Sequence, residues 1–115
     1  MGFLTTHVLD TAQGIPAAGI PISLYRLGND RLLVRRLITN SDGRTDEPIL
    51  PEAEFALGTW ELVFEVKNYF ENSTLITDDP AFLDDISLRF SMSNDDHYHV
   101  PLLVSPWSYS TYRGS

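Results

Sequence analysis

Three histidines and one arginine are the residues of this sequence that could carry out acid–base chemistry. His7 lies near the start of the sequence, and His97 and His99 are separated by one residue near its end. Histidine titrates close to neutral pH, so it can act as a general base, a general acid or a metal ligand. Arg44 follows the turn formed by Asp42-Gly43. Its guanidinium would bind a planar, carbonyl-rich or anionic substrate through paired donors.

The direction of side chains in strands would bring some of these residues together. In an extended strand, alternate side chains point to the same face. His97 and His99 would therefore share one face of a strand over residues 97–105, and His7 would share a face with Thr5. Burying a histidine without a partner is costly, so histidines on such strands require a reason.

Each of these residues also has a simpler interpretation. A single strand histidine is more often an edge or surface residue bonded to a backbone carbonyl. Arg44 could form a surface ion pair with Asp42 or Asp46, which would contribute little to stability. The three histidines could instead bind zinc and leave a position open for an activated water. Their spacing is not diagnostic of zinc, and no carboxylate stands at a recognisable ligand spacing.

A period of two in hydrophobicity predicts the elements that would position these residues. Ile86, Leu88, Phe90 and Met92 alternate with polar residues, as expected of a strand with one solvent-exposed face. Turns rich in glycine and proline separate such runs. The predicted strands cover residues 4–10, 20–25, 32–39, 59–66, 86–93, 97–105 and 108–113, and a short helix is predicted at residues 67–73. This pattern is typical of an all-β sandwich.

Composition limits the domain organisation, the partners and the location. With 115 residues, 43% of them hydrophobic, the chain fits one domain, residues 1–115. The absence of cysteine excludes a disulfide framework, a thiol nucleophile and a cysteine-bound metal. A net charge of −8 disfavours nucleic acid and anionic membranes as partners. No segment has the pattern of a membrane span or a secretory signal, so we expect a cytoplasmic protein.

Four separated motifs, in the same order, resemble those of a known family. They are Leu4-Thr5-Thr6-His7-Val8-Leu9-Asp10, Asp42-Gly43-Arg44-Thr45, His97-Tyr98-His99-Val100-Pro101-Leu102-Leu103 and the ending Tyr112-Arg113-Gly114-Ser115. On these motifs the sequence resembles the 5-hydroxyisourate hydrolase family, the transthyretin-related enzymes of purine degradation. The ending is the most specific of the four motifs, and transthyretin itself lacks it.

The resemblance implies a transthyretin-like β-sandwich of two mostly antiparallel sheets with one short helix. It also implies a homotetramer that hydrolyses 5-hydroxyisourate to 2-oxo-4-hydroxy-4-carboxy-5-ureidoimidazoline, with no cofactor and no metal. The catalytic set carried over by the resemblance is His7, Arg44 and His99. Tyr112 and Ser115 would contact the substrate and close the site.

In this scheme one histidine removes a proton from water, the other orients that water or serves the leaving nitrogen, and Arg44 stabilises the oxyanion. The family's catalytic position is the second histidine of its motif, so His97 is interpreted as a neighbour of His99. The sequence does not decide which of His7 and His99 is the base. Two alternatives remain, a non-enzymatic carrier of small ligands like transthyretin and a zinc hydrolase that uses all three histidines.

Overall fold

The computed structural model describes residues 1–75 and 78–114 of the chain, and strands dominate it. The strands are β1 (Phe3–Thr5), β2 (Val8–Asp10), β3 (Ile15–Pro16), β4 (Pro21–Leu27), β5 (Arg31–Ile38), β6 (Gly58–Glu65), β7 (Asp85–Met92), β8 (His97–His99), β9 (Leu102–Val104) and β10 (Tyr109–Thr111). The helix α1 covers Lys67–Glu71, shorter than predicted, and a 3-10 turn covers Glu52–Glu54. No helix in the described ranges is long and apolar enough to span a membrane.

The strands form the two layers of a sandwich. One layer is an antiparallel sheet in the order β5-β4-β6-β7. The other layer is the sheet β10-β9-β2-β3. A separate parallel pair is formed by β1, which comes just before β2 in the chain, and β8, which comes just before β9. Both layers contribute to one core, in which Leu24 and Leu62 of the first sheet and Val8 and Leu102 of the second are almost completely buried. The predicted all-β sandwich is therefore confirmed.

The predicted alternation of side chains is present in the burial of β7. Ile86, Leu88 and Met92 are buried, while Ser87 and Ser91 between them are exposed. Burial of apolar side chains contributes roughly 25 cal/mol per Å² removed from water, which favours one register of the strand over its one-residue slip. The hydrophobic pattern is therefore sufficient to determine which face of β7 is buried.

The strands predicted over residues 4–10 and 97–105 are each divided in two, into β1 and β2 and into β8 and β9. Pro101, between β8 and β9, has no N–H and cannot donate to the ladder of hydrogen bonds. Thr6, between β1 and β2, forms a compensating bond, because its hydroxyl donates to the carbonyl of Val100 at 2.7 Å. The division had a sequence signal, since a proline stands in the middle of the predicted strand. It leaves β1 and β8 as a short parallel pair at one edge of the site.

Candidate active site

A cleft of about 370 Å³ opens beside the pair β1-β8 and the turn region that follows β5. This volume is in the range of small-molecule sites. The cleft is lined largely by polar side chains, namely Thr5, Thr6, Arg44, Thr45, Asp46, Glu47, Pro48, His97 and His99. Two of the three predicted catalytic residues thus line a single cleft, and the third, His7, is bonded directly to one of them.

The turn before Arg44 is fixed by a glycine. Gly43 has φ = +71°, in the left-handed region that glycine adopts without steric cost. A Cβ atom on Gly43 would lie 2.5 Å from the carbonyl oxygen of Val8. The carbonyl of Gly43 accepts the N–H of Val8 at 2.8 Å, and the next residue, Arg44, forms an isolated bridge with His7. Backbone pairing therefore places Arg44 beside His7.

The guanidinium of Arg44 is available to a ligand. The residue is exposed and lines the cleft. The surface ion pairs with Asp42 or Asp46 that the sequence allowed do not form within residues 1–75 and 78–114. Asp46 instead accepts a hydrogen bond from Nδ2 of Asn40 at 2.9 Å. Among the described residues Arg44 therefore has no ion-pair partner, and it shares the lining of the cleft with Asp46 and Glu47.

A row of hydrogen bonds connects the three histidines through Thr5. Oγ1 of Thr5 lies 2.7 Å from Nε2 of His97 and 2.7 Å from Nδ1 of His99. Nε2 of His99 in turn lies 2.7 Å from Nδ1 of His7, and these two rings stack with centroids 4.8 Å apart. Thr5 and His99 are directly opposite each other in the parallel pair β1-β8. The contacts agree with the predicted sharing of a face by His97 and His99 and by Thr5 and His7.

Both histidines of the stacked pair are mainly neutral at pH 7. Burial, and then the charges of His7, Arg44 and His97, lower the pKa of His99 to about 4. Burial and the guanidinium of Arg44 also lower the pKa of His7 below its usual value of 6.5. A neutral imidazole has one bare nitrogen, so the pair can accept a proton near neutral pH. Both nitrogens of His99 are already bonded, to Thr5 and His7, whereas Nε2 of His7 forms no hydrogen bond to any described residue.

The geometry of the histidines differs from that of a zinc site. Two nitrogens bound to one tetrahedral zinc, each at roughly 2.0–2.1 Å, would lie about 3.3 Å apart. The facing nitrogens of His7 and His99 lie 2.7 Å apart and bond to each other. In the part of the chain that the structure describes, no group of three or more potential ligands is arranged to hold a metal ion. The two nitrogens would have to separate before an ion could bind between them.

The C-terminal segment reaches the site through its backbone. The N–H of Gly114 donates to the carbonyl of His99 at 2.7 Å, and the two residues form an isolated bridge. Tyr112, predicted to contact the substrate, lies away from this cleft within the chain and lines a second groove of about 320 Å³ with Phe90 of β7. Ser115, the other predicted contact, lies outside the described residues.

Two residues of the site were not identified from the sequence as parts of it. Thr5 was placed on the same face as His7, but its contacts with two histidines depend on the register of β1 against β8. Gly114 was part of the family ending, but its approach to His99 depends on the path of the tail. The contacts of Thr5 span more than ninety positions in the sequence, and the contact of Gly114 with His99 joins two separate segments. No local sequence pattern could have indicated either of them.

Fold and site together define a β-sandwich of the transthyretin type with a polar, histidine-containing cleft. Residues 4–114 match the HIUase/Transthyretin family, and the chain belongs to that family. It is 58% identical to 5-hydroxyisourate hydrolase 2 of Rhizobium meliloti over 116 residues, which cover 99% of this chain and 97% of the relative. This confirms the family resemblance seen in the motifs.

Solved structures with the same fold also align with this chain. The crystal structure of an (S)-allantoin synthase aligns with a TM-score of 0.92 and 50% identity over 99% of this chain, which spans only 44% of that protein. A transthyretin from Sparus aurata aligns with a TM-score of 0.84 at 23% identity, over 96% of this chain and 95% of the other. The second likeness shows the fold alone. By sequence, the chain groups with the hydrolases of the family and not with transthyretin.

Proposed function

We propose that this chain hydrolyses 5-hydroxyisourate, a small molecule that binds in the cleft beside β1 and β8. The observation that carries the proposal is the hydrogen-bonded pair of neutral histidines, His7 and His99, next to Arg44, whose guanidinium forms no ion pair with a described residue. Relatives named 5-hydroxyisourate hydrolase, such as the Rhizobium meliloti protein, support the choice of substrate. Residues 1–115 act as one catalytic domain.

In the proposed reaction, water adds to a lactam carbonyl and the adjacent C–N bond breaks. His7 takes the proton from water, because its Nε2 is the nitrogen of the stacked pair without a bond to a described residue. Arg44 stabilises the negative charge that develops on the carbonyl oxygen. The leaving nitrogen gains a proton, so the net reaction transfers one proton and one hydroxyl from water. The product is 2-oxo-4-hydroxy-4-carboxy-5-ureidoimidazoline, and neither metal nor cofactor takes part.

A carrier of small ligands, as transthyretin is, is the second candidate. The fold favours neither the enzyme nor the carrier, since it is shared by a 5-hydroxyisourate hydrolase and by a transthyretin. The charged, histidine and threonine side chains that line the cleft and the bonded histidine pair favour the enzyme, because an apolar ligand would leave their polar groups without partners. The pair of neutral bases beside a cation has no evident use in a carrier.

We further propose a homotetramer in the cytoplasm, with Tyr112 and Ser115 in contact with substrate. Gly114, adjacent to Ser115 in sequence, is bonded to the backbone of His99, which supports the choice of Ser115. Tyr112 lines the other groove within the chain, so its proposed contact with substrate requires a neighbouring subunit of the tetramer. The two sheets end in the edge strands β5 and β7 and the edge strands β3 and β10, whose outer sides pair with no described strand and could pair in an assembly. Sedimentation velocity on the untagged protein tests the assembly, and cell fractionation tests the location.

The experiment that tests the function is the decay of freshly generated 5-hydroxyisourate with and without protein, with EDTA in a parallel sample. We expect acceleration above the spontaneous rate that is unaffected by EDTA, and a loss of about 10²–10³-fold in His7→Ala or His99→Ala. No acceleration by a tetrameric, untagged preparation would contradict the enzyme and favour the carrier. Activity that EDTA removes and zinc restores would favour the zinc hydrolase.

A further inference from the structure

We propose that Thr5 and His97 extend the stacked histidine pair into a four-residue proton relay, in the order His7, His99, Thr5, His97. The proposal rests on the proposed hydrolysis and deepens it by assigning two further positioning residues. Both act through His99, and neither belongs to the catalytic set carried over from the family motifs. The atoms concerned are joined by three successive contacts of 2.7 Å.

The hydroxyl of Thr5 makes the relay directional. A threonine hydroxyl has one hydrogen to donate, and its oxygen accepts through lone pairs. Oγ1 of Thr5 lies at hydrogen-bond distance from one nitrogen of His97 and one of His99, so its single hydrogen can go to only one of the two rings. In the relay Thr5 donates to one ring and accepts from the other, so that one ring presents a bare nitrogen and the other an N–H.

Neutral imidazoles extend this constraint to His7. If Nδ1 of His99 donates to Thr5, then Nε2 of His99 is bare and accepts from Nδ1–H of His7, which leaves Nε2 of His7 bare. If Thr5 donates to Nδ1 of His99, every bond reverses, and Nε2 of His7 carries a hydrogen. The row thus has two states that differ by one proton gained at His7 and one lost at Nδ1 of His97.

Switching between these states matches the two proton transfers of the hydrolysis. In the addition step, Nε2 of His7 takes a proton from water, the three bonds reverse and Nδ1 of His97 releases a proton to the solvent in the cleft. In the cleavage step, Nε2 of His7 gives its proton to the leaving nitrogen, the bonds reverse again and His97 regains a proton. One proton moves from water to nitrogen, and the relay returns to its first state.

The surroundings favour a relay over storage of charge on one ring. Burial and the nearby guanidinium of Arg44 disfavour a cationic imidazole at either His7 or His99. A relay avoids such a cation, because each ring gives up one proton as it receives another. His97 is suited to be the outer end, since it lines the cleft and its ring is stacked on Phe3 at 4.0 Å with an interplanar angle of 8°.

Substitutions at Thr5 test the relay with the shape of the side chain conserved. Thr5→Val removes the hydroxyl, and Thr5→Ser keeps it. We expect kcat to fall at least tenfold in Thr5→Val with KM within about twofold, while Thr5→Ser stays within threefold of the wild type. The solvent isotope effect is a readout that a merely structural role would not move. A plot of kcat against the fraction of D₂O is curved when several protons move in one step and linear when one proton moves. We expect a curved plot for the wild type and a linear plot for Thr5→Val.

His97 supplies the second variant and the coupling test. Gln at position 97 can donate to Thr5 but cannot pass a proton on, so His97→Gln is expected to lower kcat about as much as Thr5→Val. The double variant is then no slower than either single variant, because a broken relay cannot be broken twice. Losses that multiply in the double variant, or a Thr5→Val enzyme with wild-type kcat, would overturn the relay.

A measurement without substrate separates this proposal from the proposed function. ¹⁵N chemical shifts of the imidazoles report which nitrogen carries the hydrogen. We expect Thr5→Val to shift the signals of His99 while circular dichroism stays unchanged, and unaltered His99 signals would overturn the proposed constraint by Thr5. If the wild type does not accelerate hydrolysis, the proposed function fails. If the wild type is active and Thr5→Val is equally active, only the relay fails.

Discussion

Gly114 lies so close to His99 that even a methyl side chain would crowd the imidazole. A Cβ on Gly114 would lie 3.0 Å from Cδ2 of His99 and 3.2 Å from its Cβ. Gly114→Ala would therefore shift the tail or the imidazole by a few tenths of an ångström. Because a misplacement of about 1 Å can cost roughly 10²-fold in rate, we expect this smaller shift to lower kcat by up to about tenfold.

Steady-state kinetics measure this effect, and Gly28→Ala is the matched control. A Cβ on Gly28 meets nothing within 4 Å, so this variant should keep wild-type activity. Full activity in Gly114→Ala would show that the tail does not constrain His99.

The guanidinium of Arg44, which forms no ion pair with a described residue, predicts a large loss of turnover on truncation. Arg44→Ala removes the cation proposed to stabilise the oxyanion, so we expect kcat to fall about 10²–10³-fold. Arg44→Lys keeps the charge but loses the paired donors, so its kcat should lie between that of Arg44→Ala and that of the wild type. Arg36 lies on β5 and forms an exposed ion pair with Glu65 of β6. Arg36→Ala therefore serves as the control for loss of a positive charge. Arg44→Ala with wild-type kcat would rule out the oxyanion role.

The environment of the histidine pair predicts how activity depends on pH. The pKa of His7 is lowered by burial and by Arg44, so the base stays available below its usual value of 6.5. We expect kcat/KM to be flat through neutral pH and to decrease on acidification, with a midpoint below pH 6.5 and a tenfold loss for each further unit. Rates corrected for the spontaneous reaction give this profile. A midpoint above pH 6.5, or a rate that rises with acid, would contradict a neutral histidine base.

The pKa of His99 also predicts how stability depends on pH. Its pKa is about 4 in the folded chain and near 6.5 when unfolded, so the unfolded state binds more protons between these values. The contribution of neutral His99 is complete above pH 6.5 and is lost as pH falls towards 4. Urea unfolding at pH 7 and pH 5 measures the loss of stability. We expect the free energy of unfolding to fall less between pH 7 and pH 5 in His99→Gln than in the wild type. Equal losses in the two proteins would contradict the lowered pKa of His99.

The sandwich follows from local patterns, whereas the site depends on pairing between distant segments. The alternation of Ile86, Leu88 and Met92 was sufficient to predict β7, because burial on one face is a property of the strand itself. The division of the strand at Pro101 was missed, although a residue without an N–H stood in the middle of it. Strand parity placed Thr5 on the same face as His7, but only the register of β1 against β8 puts it opposite His99.

The contact of Thr5 with His99 joins residues that are 94 positions apart, and the contact of His7 with His99 joins residues 92 positions apart. Closing so long a loop costs entropy that local contacts do not repay, so such pairings generally form late in folding. In the antiparallel sheet β5-β4-β6-β7, the strands β4 and β5 are joined by a short turn at residues 28–30, and the other pairs join segments that lie much closer in sequence than β1 and β8. This sheet can therefore form earlier. During refolding, the return of catalysis should therefore follow the return of β-structure, so that enzymatic activity reports completion of the fold and not its first collapse.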